Sequence, residues 1–401
     1  MTAIDDSTVR DPDALRAAMV SALRDQDAIT SEPVAAAFAA VPRHRFAPDA
    51  PLDVAYDLHR TVPVKKDEHG LDLSVMSAAH LQAVMLEQAE IEPGMKVLEI
   101  GSGGYNAALI QELVGIEGAV TTVDIDRDIV DRARLCLDDA GYDQVKTVLA
   151  DGETGVPDGA PYDRIIVTAA AWDIPPSWIN ELAEKGRLVV PLTVRGTTRS
   201  IAFDREGEGL VSHSYRLARF VPMQGEGAAK ERKALLRDGV AVQTDDERVP
   251  LNTKALNHAL DTPRREFWSG AAYDLPDELE LYLTLRLSSP ARLHASKDVV
   301  ESGLVEASAL LGVPALVSED SIAYRTRREN EDTGGFESGV VAHGPQAEAL
   351  ADEYLKLLRR WAQDHRRRGA ATISFLPGPA PSALPENSVL KRHGVVAVSW
   401  H

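Results

Sequence analysis

Residues 96–111 read KVLEIGSGGYNAALIQ, and this stretch decides the fold of the first half of the chain. Lys96–Ile100 is a short apolar strand, the glycine-rich turn Gly101–Gly104 follows at once, and the chain then continues as a helix. Glycines allow a ligand to approach the backbone closely, and the first turn of a helix carries unpaired N–H groups. The stretch therefore predicts a ligand-binding turn between a strand and a helix.

The same alternation continues to residue 192. The predicted strands are AVTTVDI, VKTVLAD, RIIVTAA and GRLVVPL, and an amphipathic helix over DRDIVDRARLCLDDAG ends at Gly141. Strands that alternate with helices through short glycine-containing turns favour a parallel sheet covered on both faces. The predicted fold class is α/β and Rossmann-like.

Acidic residues end the strands on either side of this turn. Asp124 ends the second strand, roughly 20 residues after the turn, where a carboxylate can bind a ribose diol. Asp151 and Gly152 end the third strand, where the edge of an adenine would lie. Each acidic residue alone is as well explained by a helix cap or a solvated turn. Together they predict a nucleoside pocket at the carboxyl edge of the sheet.

The glycines alone do not choose between a nicotinamide cofactor and S-adenosylmethionine. Dinucleotide-binding loops usually have the form GxGxxG and hold a pyrophosphate. Here Glu99 precedes the turn. An anion there is poorly suited to phosphate but can help to hold a cationic methionine moiety.

The segments outside this region have a different character. Asp11 with Pro12 and Ser31 with Pro33 predict two N-terminal helices, and a helix is expected over 78–89. Residues 224–238 are expected to be a linker. Beyond it, LELYLTLRL at 279–287 alternates leucine with polar residues and predicts a half-buried strand, a long helix is expected from Pro345, and ATISF is expected to be a terminal strand. The predicted domains are an N-terminal helical cap over 1–80, a cofactor-binding domain over 81–225 and an α+β domain over 226–401.

Composition excludes several classes of function. The chain has 401 residues, a formal charge of −19 and one cysteine, Cys136. The charge opposes binding to nucleic acid. One cysteine excludes an intramolecular disulfide, and the histidines show no metal-ligand spacing. The N-terminus has no secretory signal, and no apolar run reaches membrane-spanning length, so a cytoplasmic protein is expected.

Several further motifs, in order, resemble the protein-L-isoaspartate (D-aspartate) O-methyltransferase family. They are VPRHRF, Ala55-Tyr56-Asp57, SVMSAAHLQAVM, PGMKVLEIGSGGYNAALI, TTVDIDRDIVDRAR, ADGETGVP, APYDRIIVTAAAWDIPPSWINEL, GRLVVPL and RFVPM. The resemblance covers residues 41–223. It implies a class I methyltransferase fold with S-adenosylmethionine as cofactor and S-adenosylhomocysteine as product. The cofactor-binding residues it implies are Glu99, Gly101, Ser102, Gly103, Asp124, Asp151 and Gly152.

The resemblance also implies that Ser77 lies beside the methyl acceptor, because this position matches the family's active-site serine. A serine capping the following helix is the alternative, and the two roles are compatible. Tyr56, Ser74 and His80 are expected to contact the substrate, although Tyr56 is equally consistent with ordinary turn contacts and His80 is more simply a helix histidine.

The chain departs from the family in three places. The loop GSGGY is one residue shorter than the usual GTGSGY, and Ser74-Val75-Met76 with Ala78-Ala79 replace the usual residues around Ser77, including a proline. Residues after 224 extend beyond the usual end of the family. Such extended members resemble actinobacterial methyltransferases encoded with ribosomally made peptides, which implies esterification of an aspartate in a constrained precursor peptide and closure to a succinimide (aspartimide).

Three other functions stay open at this point. They are repair of isoaspartyl residues in damaged proteins, a peptide-binding module with a vestigial cofactor site, and methylation of a small molecule. Activity on a short isoaspartyl peptide would favour the first, and failure to bind S-adenosylhomocysteine would favour the second. The sequence does not give the oligomeric state.

Overall fold

The computed structural model describes residues 11–68, 70, 72–229, 231–237, 239–272, 277–330 and 335–401. Residues 1–10 of the predicted helical cap therefore lie outside the described residues. The chain divides into two compact units. Unit 1 takes the residues up to Leu192 together with Thr198–Ala228, and unit 2 takes Thr193–Thr197 with Ala229–His401.

Unit 1 begins with short helices and one hairpin. The elements are α1 (Pro12–Asp25), α2 (Glu32–Ala40), α3 (Leu52–Ala55), β1 (Val62–Lys66), β2 (Asp72–Met76) and α4 (Ala79–Ala89). The predicted starts of the first two helices are confirmed, because the Asp11 side chain accepts from the N–H of Asp13 and the Ser31 side chain accepts from the N–H of Val34. Strands β1 and β2 pair in antiparallel fashion.

The remainder of unit 1 is a sheet with covering helices. Its elements are β3 (Lys96–Ile100), α5 (Tyr105–Val114), β4 (Ala119–Asp124), α6 (Arg127–Ala140), β5 (Lys146–Leu149), β6 (Tyr162–Val167), α7 (Pro176–Glu181), β7 (Leu182–Val194), β8 (Thr197–Glu206) and β9 (Gly209–Leu217). The strands follow the order β9-β8-β7-β6-β3-β4-β5. Parallel pairing links β7, β6, β3, β4 and β5, and β8 pairs antiparallel with β9. The expected Rossmann-like fold is confirmed.

The order of the strands creates a crevice in this sheet. From β3 the chain proceeds outward to β4 and β5, and then returns to the other side of β3 as β6. Loops leaving β3 and β6 therefore diverge at their carboxyl ends. Open α/β sheets bind ligands at such a switch point.

The N-terminal helices of unit 1 pack on the helix that follows the glycine turn. The buried ring of Tyr105, the first residue of α5, lies edge-on to Phe38 and Phe46 with centroid distances of 6.3 and 5.6 Å. Aromatic pairs of this kind favour edge-to-face geometry. The segment before residue 50 is thus part of the same core as the sheet.

Among the described residues, unit 2 contains a seven-stranded antiparallel sheet, three further antiparallel strands and several helices. Its elements are β10 (Arg232–Arg237), β11 (Val240–Thr244), α8 (Thr253–Ala259), β12 (Arg265–Ala272), α9 (Asp277–Arg286), β13 (Pro290–Ala295), α10 (Lys297–Glu301), β14 (Val313–Val317), β15 (Ile322–Asn330), β16 (Gly335–His343), α11 (Ala347–Arg360), β17 (Thr372–Pro377), β18 (Ser388–Leu390) and β19 (Gly394–Ser399). One sheet has the order β10-β11-β13-β14-β15-β16-β12, and β19 lies between β17 and β18. The predicted α+β character of this region agrees with the structure.

Two local predictions for this region are wrong, and a third is correct in part. The expected strand 279–287 is the helix α9, in which Tyr282 and Thr284 are as buried as the leucines, so alternation did not mark an exposed face. Residues 232–237 of the expected linker form β10, whose Ala234 and Leu236 are buried on one face. The strand predicted at ATISF is confirmed as β17, but it is not the terminal strand, because β18 and the apolar β19 follow it.

No helix among the described residues combines the length and the apolar character needed to cross a bilayer.

Candidate active site

A cavity opens in unit 1 at the carboxyl ends of β3, β4 and β6. It encloses about 710 Å³ of empty space, including its open mouth. The residues that line it come from the strand ends, the β1–β2 hairpin and the chain after β9: Leu73, Ser74, Val75, Ile100, Gly101, Ser102, Gly103, Val123, Asp124, Ile125, Asp126, Ile129, Asp151, Gly152, Thr168, Ala169, Val221, Pro222, Met223 and Gln224.

The glycine turn forms the floor of this cavity. Gly101 has φ of +101°, and a Cβ placed on it would overlap the Thr168 hydroxyl. That hydroxyl donates to the carbonyl oxygens of Ile100 and Gly101, at 3.1 and 3.0 Å. By contrast, a Cβ on Gly103 would meet nothing within 4 Å. Glycine is therefore required at 101 by geometry, whereas the space beside 103 is open to a ligand.

Asp124 stands at the end of β4 and is tied to the turn. Its Oδ2 accepts from the backbone N–H of Ser102 at 2.9 Å, and its Oδ1 accepts from that of Asp126 at 2.9 Å. Burial raises the pKa of Asp124, and these hydrogen bonds oppose the rise. Each carboxylate oxygen has a second lone pair, so the group can also accept from the hydroxyls of a ribose.

Ser102 supplies a buried hydroxyl to the same cavity. The residue is 1% exposed, and its Oγ has no hydrogen-bond partner among the described residues. Buried hydroxyls are normally satisfied. Together with the Asp124 carboxylate and the open space at Gly103, this hydroxyl fits a polar nucleoside cofactor.

Glu99 does not line the cavity, contrary to the expectation of a direct cofactor contact. Its side chain is fully buried behind the turn, where Thr122 Oγ1 donates at 2.6 Å and Asn106 Nδ2 donates at 2.9 Å. Burial raises the pKa of Glu99 to about 7. The carboxyl group therefore joins β3, β4 and α5 and supports the turn from below.

Asp151 and Gly152 line the far side of the cavity. Oδ1 of Asp151 accepts from the N–H of Glu153 at 3.0 Å, and Oδ2 accepts from the N–H of Glu226 at 2.9 Å. The Gly152 carbonyl oxygen accepts from Trp178 Nε1 at 2.7 Å. Asp151 thus holds the chain after β9 against the cavity that it helps to form.

The β1–β2 hairpin covers another side of the cavity. Ser74 lines the cavity, as expected for a substrate-side residue, together with its neighbours in β2. Lys65 Nζ pairs with Asp126 at 2.6 Å and with Asp128 at 2.8 Å at the start of α6. These ion pairs fasten the hairpin beside the cavity and raise the pKa of Lys65 through its hydrogen bonds to both carboxylates.

Ser77 lies between β2 and α4 and does not line the cavity itself. The cap residue of α4 is Ala78, which makes no side-chain cap hydrogen bond, so Ser77 is not the helix cap. Its backbone carbonyl accepts from Arg43 Nη2 at 2.6 Å. Its hydroxyl sits one residue beyond the strand that lines the cavity.

Tyr56 and His80 also lie outside the cavity lining. The Tyr56 hydroxyl forms a hydrogen bond with His44 Nδ1 at 2.8 Å, and the residue is 5% exposed. His80, in the first turn of α4, has its ring centroid 5.1 Å from that of His59. Burial and then the neighbouring His59 lower the pKa of His80. His80 is close in sequence to Ser77, whereas Tyr56 is part of the packed N-terminal segment.

The prediction from sequence missed Thr168 and the wall formed by residues 221–224. Thr168 directly follows β6, so the rule that ligands bind at the carboxyl ends of parallel strands could have found it. Gln224 Nε2 donates to the Leu73 carbonyl at 3.4 Å across the wall. The motif RFVPM includes Val221–Met223, but it does not by itself place them at the cavity, because only the fold brings them there.

Comparisons with known proteins point to one family. The sequence model of the family described as protein-L-isoaspartate(D-aspartate) O-methyltransferase (PCMT) matches residues 14–228, slightly more than half of the chain. The protein-L-isoaspartate O-methyltransferase of Methanopyrus kandleri is 37% identical over 219 residues, which are 54% of this chain and 94% of that protein. That of Hyperthermus butylicus is 38% identical over 229 residues, 55% of this chain and 92% of that protein.

A solved structure described as a protein-L-isoaspartate O-methyltransferase resembles the chain with a TM-score of 0.53 and 22% sequence identity. The likeness covers 96% of this chain and 99% of that one, and it shows a shared fold.

Proposed function

Because the chain belongs to the protein-L-isoaspartate (D-aspartate) O-methyltransferase family of S-adenosylmethionine-dependent carboxyl methyltransferases, we propose a specific acceptor for it. The acceptor is the side-chain carboxylate of an aspartate in a ribosomally made, constrained precursor peptide. The ester then closes to a succinimide, which can open to aspartate or isoaspartate.

The observation that carries the proposal is the path of β2. Leu73, Ser74 and Val75 line the cavity, and Ser77 follows two residues after Val75. A carboxylate held at Ser77 would therefore lie next to the end of the strand that borders the cavity. The cofactor residues proposed for that cavity are Gly101, Ser102, Gly103, Asp124, Asp151 and Gly152, with Glu99 supporting the turn.

The reaction requires that the acceptor carboxylate be positioned against the methyl group, and it requires no general base. When bound, S-adenosylmethionine supplies an electrophilic methyl group on a sulfonium. The acceptor carboxylate is already ionised near neutral pH, since its ordinary pKa is about 4. The Ser77 hydroxyl can donate to one carboxylate oxygen while the other oxygen forms the new bond to the methyl carbon and the carbon–sulfur bond breaks.

The second step proceeds within the peptide. The backbone nitrogen after the esterified aspartate attacks the ester carbonyl, loses its proton, and methanol leaves as the five-membered imide closes. An intramolecular attack of this kind gains from proximity. A peptide constrained by crosslinks, with a small residue after the aspartate, favours that geometry.

Residues at the acceptor side support a dedicated peptide over general repair. Val75 and Met76 precede Ser77 and two alanines follow it, so the polar neighbours and the proline usual in the family are missing. Residues 229–401 lie outside the family model but within the likeness to the solved protein-L-isoaspartate O-methyltransferase, so they offer a further peptide-binding surface under either candidate function.

Isoaspartyl repair is the second candidate, and a specific observation favours it. The relatives from Methanopyrus kandleri and Hyperthermus butylicus, both described as protein-L-isoaspartate O-methyltransferases, are matched over at least 92% of their length. The whole methyltransferase part of this chain is thus shared with them.

Mass spectrometry distinguishes the two candidates. The enzyme with S-adenosylmethionine is incubated with an unconstrained isoaspartyl peptide and with a constrained precursor that contains aspartate. We expect a gain of one methyl group and then a net loss of water on the precursor alone. Methylation confined to the isoaspartyl peptide would contradict the proposal and leave repair as the function.

A further inference from the structure

The single turn of 3-10 helix at Arg43–Phe46 contains a fully buried arginine that the function described so far does not use. Arg43 spreads its guanidinium over three acceptors from three segments. Nε donates to the Ala55 carbonyl at 2.7 Å, Nη1 donates to Gln82 Oε1 at 2.6 Å, and Nη2 donates to the Ser77 carbonyl at 2.6 Å.

This guanidinium is held without an ion pair to any described residue. Buried charges are usually paired with an opposite charge, because desolvation is costly. Here two carbonyl oxygens, one amide oxygen and the ring of Tyr105, 4.7 Å from the guanidinium carbon, take that place. The planar arrangement of its donors allows one arginine to fix several backbone segments at once.

The same helical turn also contacts the cofactor side. Tyr105 is the first residue of α5, directly after the glycine turn, and it lies beneath Arg43. Phe46, three residues after Arg43, packs so closely on Gly104 that a Cβ there would come within 3.1 Å of its ring. The turn 43–46 therefore connects the glycine turn with the segment that carries Ser77.

We propose that Arg43 is a positioning residue that fixes Ser77 relative to the glycine turn and so sets the alignment of acceptor and methyl group. The inference rests on the proposed role of Ser77. Methyl transfer needs the reacting atoms in line at about 3 Å, and a displacement of roughly 1 Å can cost about a hundredfold in rate. Arg43 acts on the reaction through the Ser77 backbone.

The test compares conservative substitutions of two arginines, one that contacts the start of α4 and one that contacts its end. Arg43→Lys keeps the buried charge, but one ammonium cannot donate in three fixed directions. Arg164→Lys is the matched control, since Arg164 donates to the carbonyls of Ala89 and Glu90 at the other end of the helix. We expect Arg43→Lys to lower kcat about tenfold or more. Arg164→Lys should leave kcat unchanged, and both variants should bind S-adenosylhomocysteine as the wild type does.

Gln82→Met provides a milder variant that removes only the acceptor of Nη1. We expect a fall in kcat of about threefold, the value of one hydrogen bond. Equal kcat losses in Arg43→Lys and Arg164→Lys, or a loss confined to cofactor affinity, would overturn the inference. If Arg43→Lys does not fold, an unchanged kcat in Gln82→Met overturns it alone.

The acceptor in these assays is the peptide of the panel that the wild type esterifies. The identity of that peptide tests the proposed substrate. The ratio of variant to wild-type kcat tests the role of Arg43, so either idea can be contradicted without the other.

Discussion

The proposed cofactor side and the proposed acceptor side of the site are built in different ways. On the cofactor side most contacts involve the backbone. N–H groups of Ser102, Asp126 and Glu226 donate to the carboxylates of Asp124 and Asp151. On the acceptor side, long side chains hold the segments in place. Lys65 reaches α6 from the hairpin, and Arg43 reaches Ser77 from its helical turn.

The difference shows which side can change during evolution. Backbone contacts tolerate few substitutions, because they depend on dihedral angles and close approach, as at Gly101. Contacts through side chains can be exchanged one residue at a time. A common cofactor site with a variable acceptor site is the expected result, and the unusual residues beside Ser77 agree with it.

The largest effect is expected from Gly101→Ala. A Cβ there meets the Thr168 hydroxyl and forces a left-handed conformation, so S-adenosylhomocysteine affinity should fall about a hundredfold or more. Gly141→Ala is the control, because Gly141 has φ of +87° but nothing within 4 Å of its Cβ. Calorimetry and melting temperatures check both. Equal affinities for S-adenosylhomocysteine in the two variants would contradict the view that the cofactor side depends on close backbone approach.

Ser77→Ala should act on the acceptor side alone. We expect kcat to fall about tenfold or more, since a hydrogen bond to a charged group is worth roughly 1.5–3 kcal/mol. Affinity for S-adenosylhomocysteine should not change. Ser31→Ala is the control, because it removes the cap of α2 and should lower stability while leaving kcat unchanged. Initial rates at saturating cofactor make the measurement, and an unchanged kcat would exclude Ser77 from the acceptor site.

Glu99 makes the stability of the cofactor side depend on pH. Burial raises its pKa to about 7 from 4.5, so the folded state binds the proton more tightly than the unfolded state. The free energy of unfolding should therefore fall as pH rises from about 4.5 to 7, by about 3 kcal/mol from this group. Glu99→Gln should remove that part of the pH dependence. Urea unfolding at pH 5 and pH 8 measures the free energy of unfolding at each pH. The same change between the two pH values in variant and wild type would contradict the prediction.

Lys65→Met should give the smallest effect. Its two ion pairs are partly exposed, and solvent screens exposed pairs so that they contribute little to stability. We expect the KM for the peptide to rise about threefold with no change in cofactor affinity. Lys66→Met is the control, because Lys66 lies 3.6 Å from Asp72 within the hairpin itself. The same KM for both variants would show that the hairpin is not held from α6.

The sequence predicted the cofactor side well, for a physical reason. A strand, a glycine turn and a helix are set by neighbouring residues, and Asp124 and Asp151 follow from the rule that strand ends share one edge. Glu99 was placed on the correct element, but its side chain points to Thr122 and Asn106, a direction that no local pattern contains.

The acceptor side and unit 2 were less predictable, because long-range packing decides them. Arg43 was visible only as part of a family motif, and its three acceptors come from segments up to 39 residues away. The leucines of α9 alternate with other residues, but this alternation does not separate a buried from an exposed face. The helix is buried on nearly all sides, so leucine, tyrosine and threonine are all accommodated in it.

The wall formed by residues 221–224 has a consequence for any attempt to recombine this enzyme with a relative. One place to join two parent chains is directly after β6, the last of the parallel strands whose ends line the cavity. Here such a junction after β6 would divide the cofactor cavity between two parents, since Val221–Gln224 and the Asp151–Glu226 contact come from the end of unit 1. A crossover that preserves the cavity must lie beyond residue 228.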